Sequence, residues 1–161
     1  MTTIVMLLWV CALTAQEAGS TTSSASTTIH MSVGTSKTSE MNFGKFTAKE
    51  KAGEIVLTPY SERYTTGGIK LVARNEVPEA ASFLINNSNS EYSLVIPKEC
   101  MIVRKNGSDK MKICYFDYRT TMQTEDGQEV ISIGATLNVN AKQKAGLYIP
   151  TTPFDIVFHY N

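Results

Sequence analysis

The sequence predicts an all-β protein, a two-sheet Greek-key β-sandwich built from about 8–10 short strands. Three observations predict it. Apolar and polar residues alternate in short runs, Gly, Asn, Asp and Pro punctuate those runs, and no stretch of eleven or more residues carries a helical apolar stripe. The segment 45–54 is charged enough for a single helical turn, but Gly44 and Gly53 bracket it too closely for more.

The amino terminus is different in kind. Residues 4–15 form an apolar run, Ile-Val-Met-Leu-Leu-Trp-Val-Cys-Ala-Leu-Thr-Ala. A bilayer-spanning helix needs about 20 residues, so this run fits the core of a secretory leader instead. Small residues follow at Ala15, Ala18 and Gly19, and residues 1–18 are read as a signal peptide. Cleavage implies a secreted, periplasmic or cell-surface protein with no membrane span of its own. Residues 19–28, rich in Ser and Thr, read as a flexible polar lead-in, and 29–161 as the sandwich domain.

Within that domain the expected strands follow in order. Residues 28–33 alternate Ile29, Met31 and Val33, and 41–46 carry Met41, Phe43 and Phe46 around Gly44. Short β-branched runs at 54–58 and 68–73 flank a loop that holds Pro59 and the Gly67-Gly68 pair. Segments 81–85 and 91–96 are joined by the polar turn Asn86-Asn87-Ser88-Asn89-Ser90. Strands at 100–104 and 110–118 come next, then 130–139, where Ile131, Ile133, Ala135, Leu137 and Val139 share one face. The last, 154–160, sets Phe154, Ile156, Phe158 and Tyr160 together and ends in a penultimate tyrosine, as a pilin does.

Charge is balanced, 15 Lys+Arg against 15 Asp+Glu, with no block of either sign. A nucleic-acid partner, which requires a clustered basic face, is therefore not expected. Removal of the leader leaves Cys100 and Cys114, an even number in an exported chain. Between them lies Lys105-Asn106-Gly107-Ser108-Asp109, strong turn chemistry. A turn centred on Gly107 puts Cys100 directly opposite Cys114, within disulfide reach. The same register opposes Met101 to Ile113 and Val103 to Met111, so a Cys100–Cys114 bridge is expected, with two free buried thiols as the alternative.

Catalytic chemistry finds little support. His30 and His159 stand at opposite ends of the domain, each inside an alternating strand, and Asp155 shares a strand with His159 at about 13 Å. No phosphate-cradling loop, nucleophile elbow or Cys-x-x-Cys pair occurs. The acidic segment around Glu125, Asp126 and Glu129 lacks an ordered calcium-ligand spacing and reads as a solvated hairpin loop. No catalytic residue, cofactor or metal is expected.

Several segments resemble a known family. They are Met41-Asn42-Phe43-Gly44, Gly53-Glu54-Ile55-Val56-Leu57, Tyr92-Ser93-Leu94-Val95-Ile96-Pro97 and Ile133-Gly134-Ala135-Thr136-Leu137-Asn138-Val139. With them goes a closing stretch, Gln143-Lys144-Ala145-Gly146-Leu147-Tyr148 through Val157-Phe158-His159-Tyr160-Asn161. In order and together, they are similar to the bacterial exported domain of unknown function 4402. The cysteine hairpin lies outside that pattern. The resemblance implies an immunoglobulin-like, fimbrial-subunit-like sandwich without catalytic residues. It also implies backbone roles for Gly44, Gly134 and Gly146 and packing roles for Tyr148 and Tyr160.

Two functions follow as expectations. In the first, the protein is a subunit of a fimbria- or pilus-like filament, with self-association or sister subunits and a periplasmic chaperone and outer-membrane usher as partners. Ile29, Met31 and Val33 are then the candidate donor strand, Phe154, Ile156, Phe158 and Tyr160 the candidate assembly strand. The alternative is that 28–33 is merely the first strand of a self-complete sandwich. In the second, the domain is a stand-alone binding module for a glycan or surface protein, using loop aromatics such as Tyr60 and Tyr64.

Overall fold

Alternation holds in several strands, where Met41 and Phe43, Ile55 and Leu57, Phe83 and Ile85, and Ile131 and Ile133 are buried at every second position. The computed structural model describes residues 23–27, 29–31, 35–72, 77–86, 92–123, 128–151 and 154–160, all strand and connection with no helix among them. The strands are β1 (Ser23–Thr27), β2 (Ile29–Met31), β3 (Thr35–Ser39), β4 (Met41–Ala48), β5 (Gly53–Leu57), β6 (Arg63–Thr65) and β7 (Ile69–Leu71). They continue with β8 (Ala81–Asn86), β9 (Tyr92–Val95), β10 (Glu99–Arg104), β11 (Lys110–Gln123), β12 (Gln128–Val139), β13 (Gly146–Pro150) and β14 (Phe154–Tyr160).

Eleven strands form one curled mixed sheet in the order β3-β8-β12-β11-β10-β13-β1-β4-β7, with β5 on β12 and β6 on β5. A three-stranded sheet, β2-β14-β9, completes an arrangement consistent with a β-sandwich. The core holds Phe43, Phe46, Phe83, Ile55, Leu137 and Tyr148, each fully buried.

Curling has an identifiable origin on β12. Its first half, Gln128 to Ile133, pairs with β8, and its second half, Ala135 to Val139, pairs with β5. Gly134 stands at the change of partner, where the chain leaving β5 crosses it. A Cβ there would lie 2.2 Å from the Leu57 carbonyl oxygen, so only glycine fits. At the same level β11 carries a bulge between Cys114 and Asp117, which increases local twist. Gly44 supplies a second backbone device, with φ at 68° inside β4.

Two expectations are corrected. The polar lead-in over 19–28 is not a flexible tether along Ser23–Thr27. That segment is β1, with Ser23 and Ala25 buried. The cysteine hairpin is also one residue out of the expected register. Cys100 pairs with Ile113, Glu99 with Cys114 and Ile102 with Met111.

The turn explains the slip. Arg104 N–H donates to the Asp109 carbonyl at 2.9 Å and Gly107 N–H to the Arg104 carbonyl at 3.0 Å. Asn106 adopts φ 62°. The loop Lys105-Asn106-Gly107-Ser108 is thus even in length, and its symmetry point falls between Asn106 and Gly107. Ile102, Met111 and Ile113 then share the core face, which the expected register would have split.

Candidate functional site

β1 is the least ordinary element of the sheet. It runs parallel to β13, with Ser23 opposite Gly146, Ser24 opposite Leu147 and Ala25 opposite Tyr148. On its other side it is antiparallel to β4, from Ser23 with Phe46 to Thr27 with Met41. The first described residues therefore close the sheet between two strands that are far away in sequence. Small side chains occupy the slot, with both Ser23 and Ala25 buried. The Ser23 hydroxyl donates to the Lys144 carbonyl at 3.3 Å, across a separation of 121 residues.

β2 continues the same direction beside β14. Ile29 pairs with Phe154, His30 with Asp155 and Met31 with Ile156, again in parallel. The remaining candidate, Val33, and the leader 1–18 lie outside the described residues. On the far side of β14, antiparallel β9 aligns Val95 with Val157, Leu94 with Phe158 and Tyr92 with Tyr160. Ile156 is fully buried. The candidate donor and assembly strands thus meet within one chain, the arrangement of a self-complete sandwich.

The two cysteines lie near one another as free thiols. Burial, reinforced by the neighbouring Cys114, pushes the Cys100 thiol up to about 12. Burial also raises Cys114, whose sulfur accepts a hydrogen bond from Asn138 Nδ2 at 3.5 Å. These are poor nucleophiles, since reactivity belongs to the thiolate. Among the described residues no group of three or more His, Cys, Asp or Glu is placed to share a metal ion. His159 is exposed on β14.

A second feature is aromatic. Tyr60 is 67% exposed and Tyr64 56%, on the turn and strand that follow β5. The Arg119 guanidinium stacks over the Tyr60 ring at 4.4 Å from its centroid, and Tyr64 donates its hydroxyl proton to Glu62 at 2.8 Å. Tyr115, which the sequence did not single out, is 76% exposed at the β11 bulge with φ at 50°. A tyrosine held in the left-handed region and turned toward solvent is a strained arrangement of the kind that gathers at functional surfaces.

The described residues form an all-β fold consistent with a β-sandwich, with β1 held between β13 and β4 and tyrosines on its outside. The sequence pattern of the DUF4402 family, a domain of unknown function, matches residues 33–160. The chain belongs to that family. No curated protein and no solved structure matches it. Notably, β1 and β2 precede the matched residues.

Proposed function

We propose that the protein is an exported structural or adhesive subunit of a fimbria- or pilus-like surface filament, an immunoglobulin-like sandwich whose assembly element is the β1–β2 segment. One observation carries the reading. A strand that precedes the family-defining residues is buried between β13 and β4, and without it both would present unpaired ladders. The same ladder accepts the same strand from a second copy, because the contacts are identical whichever chain supplies them. Sister subunits are the natural partners in such exchange, with a periplasmic chaperone and an outer-membrane usher to hold the slot open before assembly.

The register offers a direct test. Ser24 and Leu147 are partners across the parallel pair. Chains carrying only Ser24→Cys and chains carrying only Leu147→Cys, both with Cys100 and Cys114 changed to Ala, are co-expressed and exported. Strand exchange gives a disulfide between the two kinds of chain in assembled material. If the bridge forms only when both substitutions share one chain, the filament reading is wrong.

The exposed Tyr60, Tyr64 and Tyr115 favour a second reading, a stand-alone module that stacks sugar rings on tyrosine faces. A monomer retained by an immobilised glycan, and released when Tyr60 and Tyr64 become Ala, would support that reading in place of the first.

A further inference from the structure

At one end of the large sheet the β4–β5 and β12–β13 loops and the end of β10 line an open pocket of about 390 Å³. Its walls carry Lys49, Arg104, Lys142 and Lys144 against a single acid, Glu50. The chain as a whole is electrically neutral, so this concentration of positive charge is a local construction.

The existing ion pairs leave cationic capacity. Glu50 meets Lys142 at 2.8 Å. Asp109, behind the wall, accepts from Arg104 Nε and Nη2 at 2.8 Å each and lies 3.9 Å from Lys144 Nζ. Two carboxylates thus face four cations.

The backbone beneath these cations is tied by hydrogen bonds. Lys142 N–H donates to the Lys49 carbonyl at 2.8 Å, which ties the two loops together, and Lys142 itself sits at φ 53°. The buried Tyr148 donates its hydroxyl proton to the Lys144 carbonyl at 2.6 Å and accepts from Gln143 Nε2 at 2.8 Å. A non-glycine residue in the left-handed region, pinned from both sides, is backbone strain maintained by its surroundings. Lys and Arg together recognise oxyanions by charge and by forked hydrogen bonds.

We propose that this pocket binds a ligand through carboxylate or phosphate oxyanions, either as a free small anion or as the acidic group of a saccharide. The test titrates the full protein at low ionic strength with inorganic phosphate, citrate and trigalacturonate, read by calorimetry. Saturable binding to at least one probe is expected, weakening as salt rises. Preference for phosphate or citrate assigns a free anion, and preference for trigalacturonate assigns a saccharide. Lys142→Gln with Lys144→Gln should weaken that binding at least tenfold, and Lys49→Gln should weaken it further. Lys98→Gln, exposed just before β10 at the strand end opposite Arg104, should leave it unchanged, and matched melting curves show that each variant is folded. No saturation by any probe, or equal affinity in the Lys142/Lys144 variant, overturns the proposal.

Discussion

Cys100 illustrates how burial sets behaviour at a single position. Its thiol is held as S–H because the partly buried site and the adjacent Cys114 both oppose a thiolate, and its pKa rises from about 9 to about 12. The sign follows directly. The folded chain retains this proton more tightly than the unfolded chain, so the associated stability is complete below about pH 9 and disappears as pH climbs toward 12. Tyr92 and Tyr148 are raised by burial in the same direction. The urea midpoint should therefore stay level between about pH 7 and 9 and fall above it, with a shallower fall in Cys100→Ala. At pH 8 iodoacetamide should modify Cys100 only once the protein is unfolded. Rapid labelling of the native protein would contradict the burial argument, and no labelling after unfolding without reductant would reveal a bridge.

At the scale of elements, what the sequence disclosed depended on where each strand finds its partners. β12 was legible because Ile131, Ile133, Ala135, Leu137 and Val139 alternate and are all buried. β4, β5 and β8 declared themselves in the same way, whereas β10 was legible as a strand but with Met101 and Val103, rather than the buried Ile102, read onto its apolar face. β1 and β3 did not, because Ser-Ser-Ala-Ser-Thr and Thr-Ser-Lys-Thr-Ser carry no apolar alternation. Their positions come from neighbours distant in the chain. The hairpin at Gly107 was recognisable as a turn, but its register depended on whether the loop was odd or even, which residue types do not encode. The exposed Tyr60 and Tyr64 could be picked out from their polar loop, whereas Lys49, Arg104, Lys142 and Lys144 come from separate segments that only the fold assembles. Gly134 is the position where an element's geometry is most exposed to mutation. Gly134→Ala forces its new methyl against the Leu57 carbonyl and should cost about 1–3 kcal/mol, measured as a lowered urea midpoint. An unchanged midpoint would mean that the β5 exit does not cross β12 so closely.

Across the whole molecule, both ends of the described chain run side by side in one direction. β1 lies parallel to β13, and β2 lies parallel to β14. Consider tension applied to the first strand from its amino end and to the last from its carboxyl end. The two pulls act along one axis in opposite senses, so they slide parallel strands past each other and load the ladder bonds together. An antiparallel terminal pair would instead be peeled open one bond at a time. The topology thus gives the domain a mechanical clamp. In single-molecule extension, attachment at the two termini should require a higher rupture force than attachment at Gly107 and the amino terminus, and equal forces would rule the clamp out. For a protein fixed at one end and dragged at the other by flowing liquid, that clamp would set how long it holds.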